Sequence, residues 1–293
     1  MYSKKLKFAN AVLDILYVFL TQIAIIFMVI VIPCIIVLLK AAGMAESSEF
    51  VLQNMSFKSM RTLIDQSAFI NFCKVIVGPI SIAVAPFVYE KLKDSRKKEN
   101  RALLQAYRQG GYLDFQRLLS GCLTGLLCAG ALIGVTALCF GTKKFCFPAD
   151  NISLGMTFLN LISICLFCVC QELFIRHYCF LKTAQFSVIG YIVLTNLIFA
   201  FNLFRTIDKL NVQCVLAVLL LSLRMTFQYL RTKNIAANFG FRAVFEMLMF
   251  MFFGDAHFVN NVSILLLFIL LTVEVVNLLM KKERFGLRNE ELQ

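Results

Sequence analysis

Seven ionisable side chains interrupt otherwise apolar stretches of this 293-residue sequence: Lys74, Glu172, Arg176, Arg224, Arg242, Glu246 and Glu274. A charge in hydrocarbon is costly. It ordinarily faces a bundle interior or a wet passage, where it pairs or takes part in function. Glu172 and Arg176 are four residues apart, and so are Arg242 and Glu246. That spacing puts each couple on one helix face. The plain expectation is two ion pairs that lock a bundle. The sharper one is a polar centre in which all four meet, near the cytoplasmic side. A carboxylate there could act as a general base if a water lies within reach, and a guanidinium could stabilise an oxyanion.

Other chemistries are set aside. The sequence has no HExxH, GxSxG or GxxxxGK[ST] pattern, and its two histidines are His177 and His257. A zinc site needs three or four convergent ligands, which these two do not supply. No metal or cofactor is expected. His177 is predicted near a span end, in an interfacial role. Cys165, Cys168 and Cys170 form a CxxCxC cluster inside an apolar run, where cysteine behaves as a small apolar residue and packs.

The elements that must position these groups follow from hydropathy. Hydrophobic residues make up 60% of the chain and charged ones only 16%, against about a quarter charged in soluble domains. A bilayer core of about 30 Å needs roughly 20 apolar residues in a helix. Eight spans are predicted, over residues 15–39, 75–89, 118–142, 151–171, 183–204, 210–230, 235–253 and 256–280. The chain is therefore expected to be an all-α polytopic membrane protein, a single membrane domain over 1–293. Gly121, Gly125, Gly130 and Gly134 fall at GxxxG spacing, which lets helices approach closely. Packing within the bundle is the first expectation there, and homodimerisation the alternative.

The formal net charge of +12 reads loop by loop rather than as a signal for nucleic acid, which is not expected as a partner. With the N-terminus inside, the predicted inside segments hold 18 Lys and Arg, and the outside segments 7. The positive-inside rule then puts both ends in the cytoplasm. The basic cluster in the largest inside loop, residues 90–117, can attract anionic headgroups or simply fix topology. Segment 40–66 is predicted as an outside loop or short surface helix. Lys4, Lys5 and Lys7 precede an apolar stretch too long for a signal h-region, so that stretch should remain as the first span. This pattern suits a bacterial plasma membrane, with membrane lipids as surroundings.

Three segments resemble, in order, the motifs of the CPBP family, the intramembrane proteases that include CAAX-type prenyl endopeptidases and bacteriocin-processing proteins. The first runs from Gln171-Glu172 through Arg176 to Phe180 and is similar to E-E-x-x-x-R followed by an aromatic. Phe199 to Leu203 is similar to F-x-x-x-H. Tyr229 to Glu246 is similar to Y-L-R-T-G-N-L-W-A-P-I-x-x-H-x-x-x-N. The resemblance covers about 150–280. It implies that the first glutamate of the motif activates the hydrolytic water, and that the later histidines and asparagine hold the water or the oxyanion. This chain has Gln171, Leu203, Arg242 and Glu246 at those positions, keeping only Glu172 and Arg176. A glutamine side chain cannot serve as a general base. The expectation is a scaffold whose peptidase chemistry is lost and which binds a membrane protein, a peptide or a lipid. The alternatives are an active endopeptidase with Glu172 as base and Arg242 as oxyanion stabiliser, and a transporter lined by the buried charges. Convergence of Glu172, Arg176, Arg242 and Glu246 is the geometric expectation on which the resemblance stands.

Overall fold

A computed structural model of the chain describes residues 2–32, 68–94, 98–109, 114–141, 154–204 and 212–253, with isolated positions beyond them. In chain order the helices are α1 (Tyr2–Ile26), α2 (Ala68–Asp94), α3 (Lys98–Gln109), α4 (Phe115–Phe140) and α5 (Leu154–Gln171). The last runs through a π-helical segment (Glu172–Tyr178) into α6 (Cys179–Thr183). Then come α7 (Val188–Phe204), α8 (Val212–Thr232) and α9 (Ala236–Phe253). The described residues contain no strand.

Six of these helical stretches are long and apolar enough to cross a membrane: Leu6–Val29, Val75–Lys93, Phe115–Cys139, Thr157–Thr183, Val215–Thr232 and Ala236–Phe253. Val188–Phe201 is a shorter apolar helix. The protein is thus an all-α polytopic membrane protein. Most of the predicted span 256–280, with Glu274 and His257, and the 40–66 segment lie outside the described residues, as does the side chain of Lys74.

Four sequence expectations are corrected. The first span begins well before residue 15, so Asp14 lies inside it; Lys93 and Lys182 both bind that carboxylate and remove the penalty that argued for a later start. The helix bearing Glu172 continues to Thr183, and the next begins at Val188 after a turn, because Phe186 and Ser187 N–H both close on the Thr183 carbonyl. His177 is consequently a buried residue within a span rather than an interfacial one. Segment 90–117 is not an open loop. Glu90 belongs to α2 and is fully buried, and Lys98–Gln109 forms α3.

Contacts fix which helix ends lie together. A Cβ on Gly190 would strike the Phe8 ring. Asp14 binds Lys93 and Lys182, the latter at 3.2 Å. Arg117 donates to the Thr232 carbonyl at 2.8 Å. The starts of α1, α4 and α7 and the ends of α2, α6 and α8 therefore share one end of the bundle, the end with most of the basic residues.

Glycine sets the tightest contact. Cβ atoms on Gly121 and Gly125 would collide with the backbone carbonyls of Ala237 and Phe241, and one on Gly240 would lie 2.5 Å from the Leu118 carbonyl. Helices α4 and α9 thus meet backbone to backbone, and the first GxxxG pair serves packing within the chain. Gly130 and Gly134 have nothing within 4 Å of such a Cβ. One of the two prolines in α2 is compensated. Pro79 has no N–H for the Val75 carbonyl, and Ser163 donates its hydroxyl there at 3.2 Å.

Candidate functional site

The polar centre is assembled by α5 with its π-helical continuation, α7, α8 and α9. Glu172, Arg176, Arg242 and Glu246 are all buried. Arg242 is the hub. Its Nη1 donates to Glu172 Oε1 at 3.2 Å, while Nε and Nη2 both lie 2.8 Å from Glu246 Oε1. Glu246 Oε2 accepts the Cys168 thiol at 3.4 Å. One guanidinium therefore ties two carboxylates from two helices.

The couple on the first helix behaves differently from its spacing. Arg176 Nε is 3.8 Å from Glu172 Oε2, a long ion pair. The segment is π-helical, and its wider turn moves residues four apart off the common face. Arg176 instead donates to the Thr195 carbonyl at 3.4 Å and to Ser222, at 3.2 Å to the carbonyl and 3.0 Å to Oγ. Both guanidinium groups lie against the Phe199 ring, at 5.2 Å for Arg176 and 5.0 Å for Arg242. A third, Arg224, lies 3.8 Å from the Phe241 ring.

Sequence reasoning passed over Asn238, which stands where the quoted motif has proline. Its Nδ2 donates to Glu172 Oε2 at 3.2 Å and to the Met225 carbonyl at 2.8 Å. Glu172 is thereby held on both oxygens. Gln171 is buried beside it, with neither Oε1 nor Nε2 hydrogen-bonded. Leu203 falls one turn after Phe199 on α7, and its side chain lies outside the described residues. The four ionisable residues do converge; Gln171 is next to them in the chain.

The turn that delivers α9 is short and internally bonded. Helix α8 ends at Thr232, and Lys233 takes a left-handed φ of 52° with its N–H on the Tyr229 carbonyl at 2.7 Å. The quoted motif has glycine there, as this conformation favours. Asn234 then accepts from the Ala236 N–H at 2.7 Å and starts α9.

A second ion network was not foreseen, because Glu90 and Lys182 looked like loop residues. Lys182 binds Glu90 Oε1 at 2.5 Å and Asp14 Oδ2 at 3.2 Å, and the Tyr178 hydroxyl donates to Glu90 Oε1 at 2.7 Å. His177 is also explained by contacts. Its Nε2 lies 3.0 Å from the Ala106 carbonyl, which can only accept. Nε2 therefore carries a proton, and in the neutral ring Nδ1 accepts the Tyr229 hydroxyl at 2.7 Å. Among the described residues no three His, Cys, Asp or Glu side chains gather to hold a metal.

No curated protein and no solved structure matches the chain. A family model does: residues 153–248 match type II CAAX prenyl endopeptidase Rce1-like. The matched residues contain the π-helical segment, Phe199, the three-residue turn and the Arg242–Glu246 couple. Over residues 153–248, then, the chain is similar to the Rce1-like CAAX prenyl endopeptidase family.

Proposed function

We propose that this protein is a CAAX-endopeptidase-like membrane protein without peptidase chemistry, which acts by binding a membrane protein, a peptide or a lipid. The observation that carries this is the state of Glu172. Its two oxygens accept from Arg242 and Asn238, so the remaining motif carboxylate is committed to its neighbours. A base must be able to reach and deprotonate a water, and both Glu172 oxygens are already engaged by neighbouring side chains. Gln171 supplies no replacement. Arg242, which could otherwise stabilise an oxyanion, is neutralised by Glu246 at 2.8 Å. The proposed setting is a bacterial plasma membrane with both chain ends in the cytoplasm.

The test uses the purified full chain and a prenylated CAAX peptide. The expected result is no cleavage by the unaltered protein. Cleavage that disappears in Glu172→Gln would overturn the proposal and establish the peptidase reading, with Glu172 as base.

A further inference from the structure

Helix α3 joins the basic end of the bundle to the motif helix. Its positions divide cleanly. Leu103, Leu104 and Tyr107 form an apolar face, and Tyr107 is buried. The Tyr107 hydroxyl donates to the Ala83 carbonyl at 2.9 Å, and its ring stacks on His177 with centroids 6.0 Å apart. The Ala106 carbonyl takes the His177 proton. That face is therefore spent on the protein. Lys98, Arg101, Gln105 and Arg108 recur at steps of three and four on another stripe, and Gln105 on it is exposed.

The flanks of α3 add a second, independent observation. Leu92, at the end of α2, is 78% exposed, and Phe115, at the start of α4, is 73% exposed. Lys91 stands beside Leu92, and Arg117 close after Phe115. Large apolar side chains exposed next to basic ones match the layer where acyl chains meet headgroups. Residues 91–117 carry eight basic against three acidic residues. An acidic protein partner would be served by the charge but not by the exposed Leu92 and Phe115.

We propose that α3, with Lys91 and Arg117 at its flanks, is a binding surface for anionic lipid headgroups, and that bound lipid steadies α3 against the motif helix. The attraction acts on the basic stripe of the helix sequence. It reaches the polar centre through Tyr107 and His177, since His177 follows Arg176 directly in the chain.

The experiment compares the full chain in nanodiscs of phosphatidylcholine with nanodiscs in which a third of the lipid is phosphatidylglycerol. Amide hydrogen exchange is read over residues 98–109 and 172–183. Anionic lipid should slow exchange in both segments, less so in high salt. Affinity should fall roughly fivefold for each basic residue removed, so Lys91→Gln combined with Lys98→Gln, Arg101→Gln and Arg108→Gln should abolish the difference. Arg108→Gln alone should halve it or more, which keeps the test intact if the fourfold variant misfolds. Equal exchange in the two lipids overturns the proposal, as does an undiminished response in Arg108→Gln. Protection confined to 98–109 overturns the link to the motif helix. Equal protection from polyglutamate in neutral nanodiscs would assign the surface to an acidic protein segment instead.

Discussion

Arg242 faces two carboxylates and Arg176 supplies the second positive charge, so the core of the site is neutral only while all four side chains are present. Removing one member of a buried ion network leaves its partner uncompensated, at about 3–5 kcal/mol. Arg242→Met should therefore lower stability by about that much, read as the melting temperature of the detergent-solubilised chain. Arg242→Met with Glu246→Met should recover a large part of the loss, because the orphaned carboxylate goes too. If the double variant is no more stable than the single, Glu246 is not held by Arg242. Gln171 argues in the other direction. A buried polar group without a partner costs about 1–3 kcal/mol, and neither end of this amide is bonded. Gln171→Met keeps the shape and removes the cost, so it should raise the melting temperature. A fall would mean that the amide is satisfied by something that enters the site in the membrane.

At the scale of elements, two short features decide how α9 meets its neighbours. The Gly121 and Gly125 contacts are with backbone, which cannot step aside as a side chain can. Gly121→Ala should force α4 and α9 apart, at about 1–3 kcal/mol for an overpacked contact. Gly134→Ala meets no neighbour and should instead stabilise by up to about 1 kcal/mol through helix propensity. Equal effects at the two sites would refute the helix pairing. Lys233 is the second feature. A left-handed φ at a non-glycine residue costs about 1 kcal/mol, so Lys233→Gly should stabilise the turn, less whatever the ammonium gains 4.1 Å from the Phe180 ring. Much of this architecture was legible in the sequence. Hydropathy found the apolar runs, and spacing found the Arg242–Glu246 couple. The rest was not legible, for definite reasons. An unbroken apolar run hides a turn that only backbone bonding reveals, so the Thr183–Val188 boundary was misplaced. The π-helical turn is invisible to a count of four, so the expected Arg176–Glu172 ion pair is present but long, at 3.8 Å, and the Arg176 hydrogen bonds to Thr195 and Ser222 were not foreseen. Asp14, Glu90 and Lys182 are far apart in sequence, and nothing local signals that they meet.

The whole molecule is organised by its two unequal ends, and the chain must return to the basic one. Contacts place the starts of α1, α4 and α7 at that end, together with the ends of α2, α6 and α8. Helix α9 starts there too, since Gly121 meets Ala237, and runs alongside α4 toward the other end. At that other end Phe145 packs on Phe252 and Phe253, with centroids 5.8 and 5.6 Å apart. The chain at Phe253 is therefore at the sparsely charged end. Lys281, Lys282, Arg284 and Arg288 follow, and clustered basic residues near a span favour the cytoplasmic side. Both statements hold only if the chain crosses once more between them, and the apolar run at 256–280 is long enough to do so. Reporter fusions test this directly. A fusion after Gln109 should read cytoplasmic, one after Phe253 external, and one after Arg288 cytoplasmic again. An external signal after Arg288 would leave the last apolar run uncrossed. A cytoplasmic signal after Phe253 would instead show that α7, 17 residues long and so only about 26 Å at 1.5 Å per residue, fails to cross. That outcome would invert α8 and α9 relative to α5, and the contacts from Arg242 to Glu172 and from Gly121 to Ala237 could not then coexist. The convergence of the site and the parity of the spans thus stand or fall together.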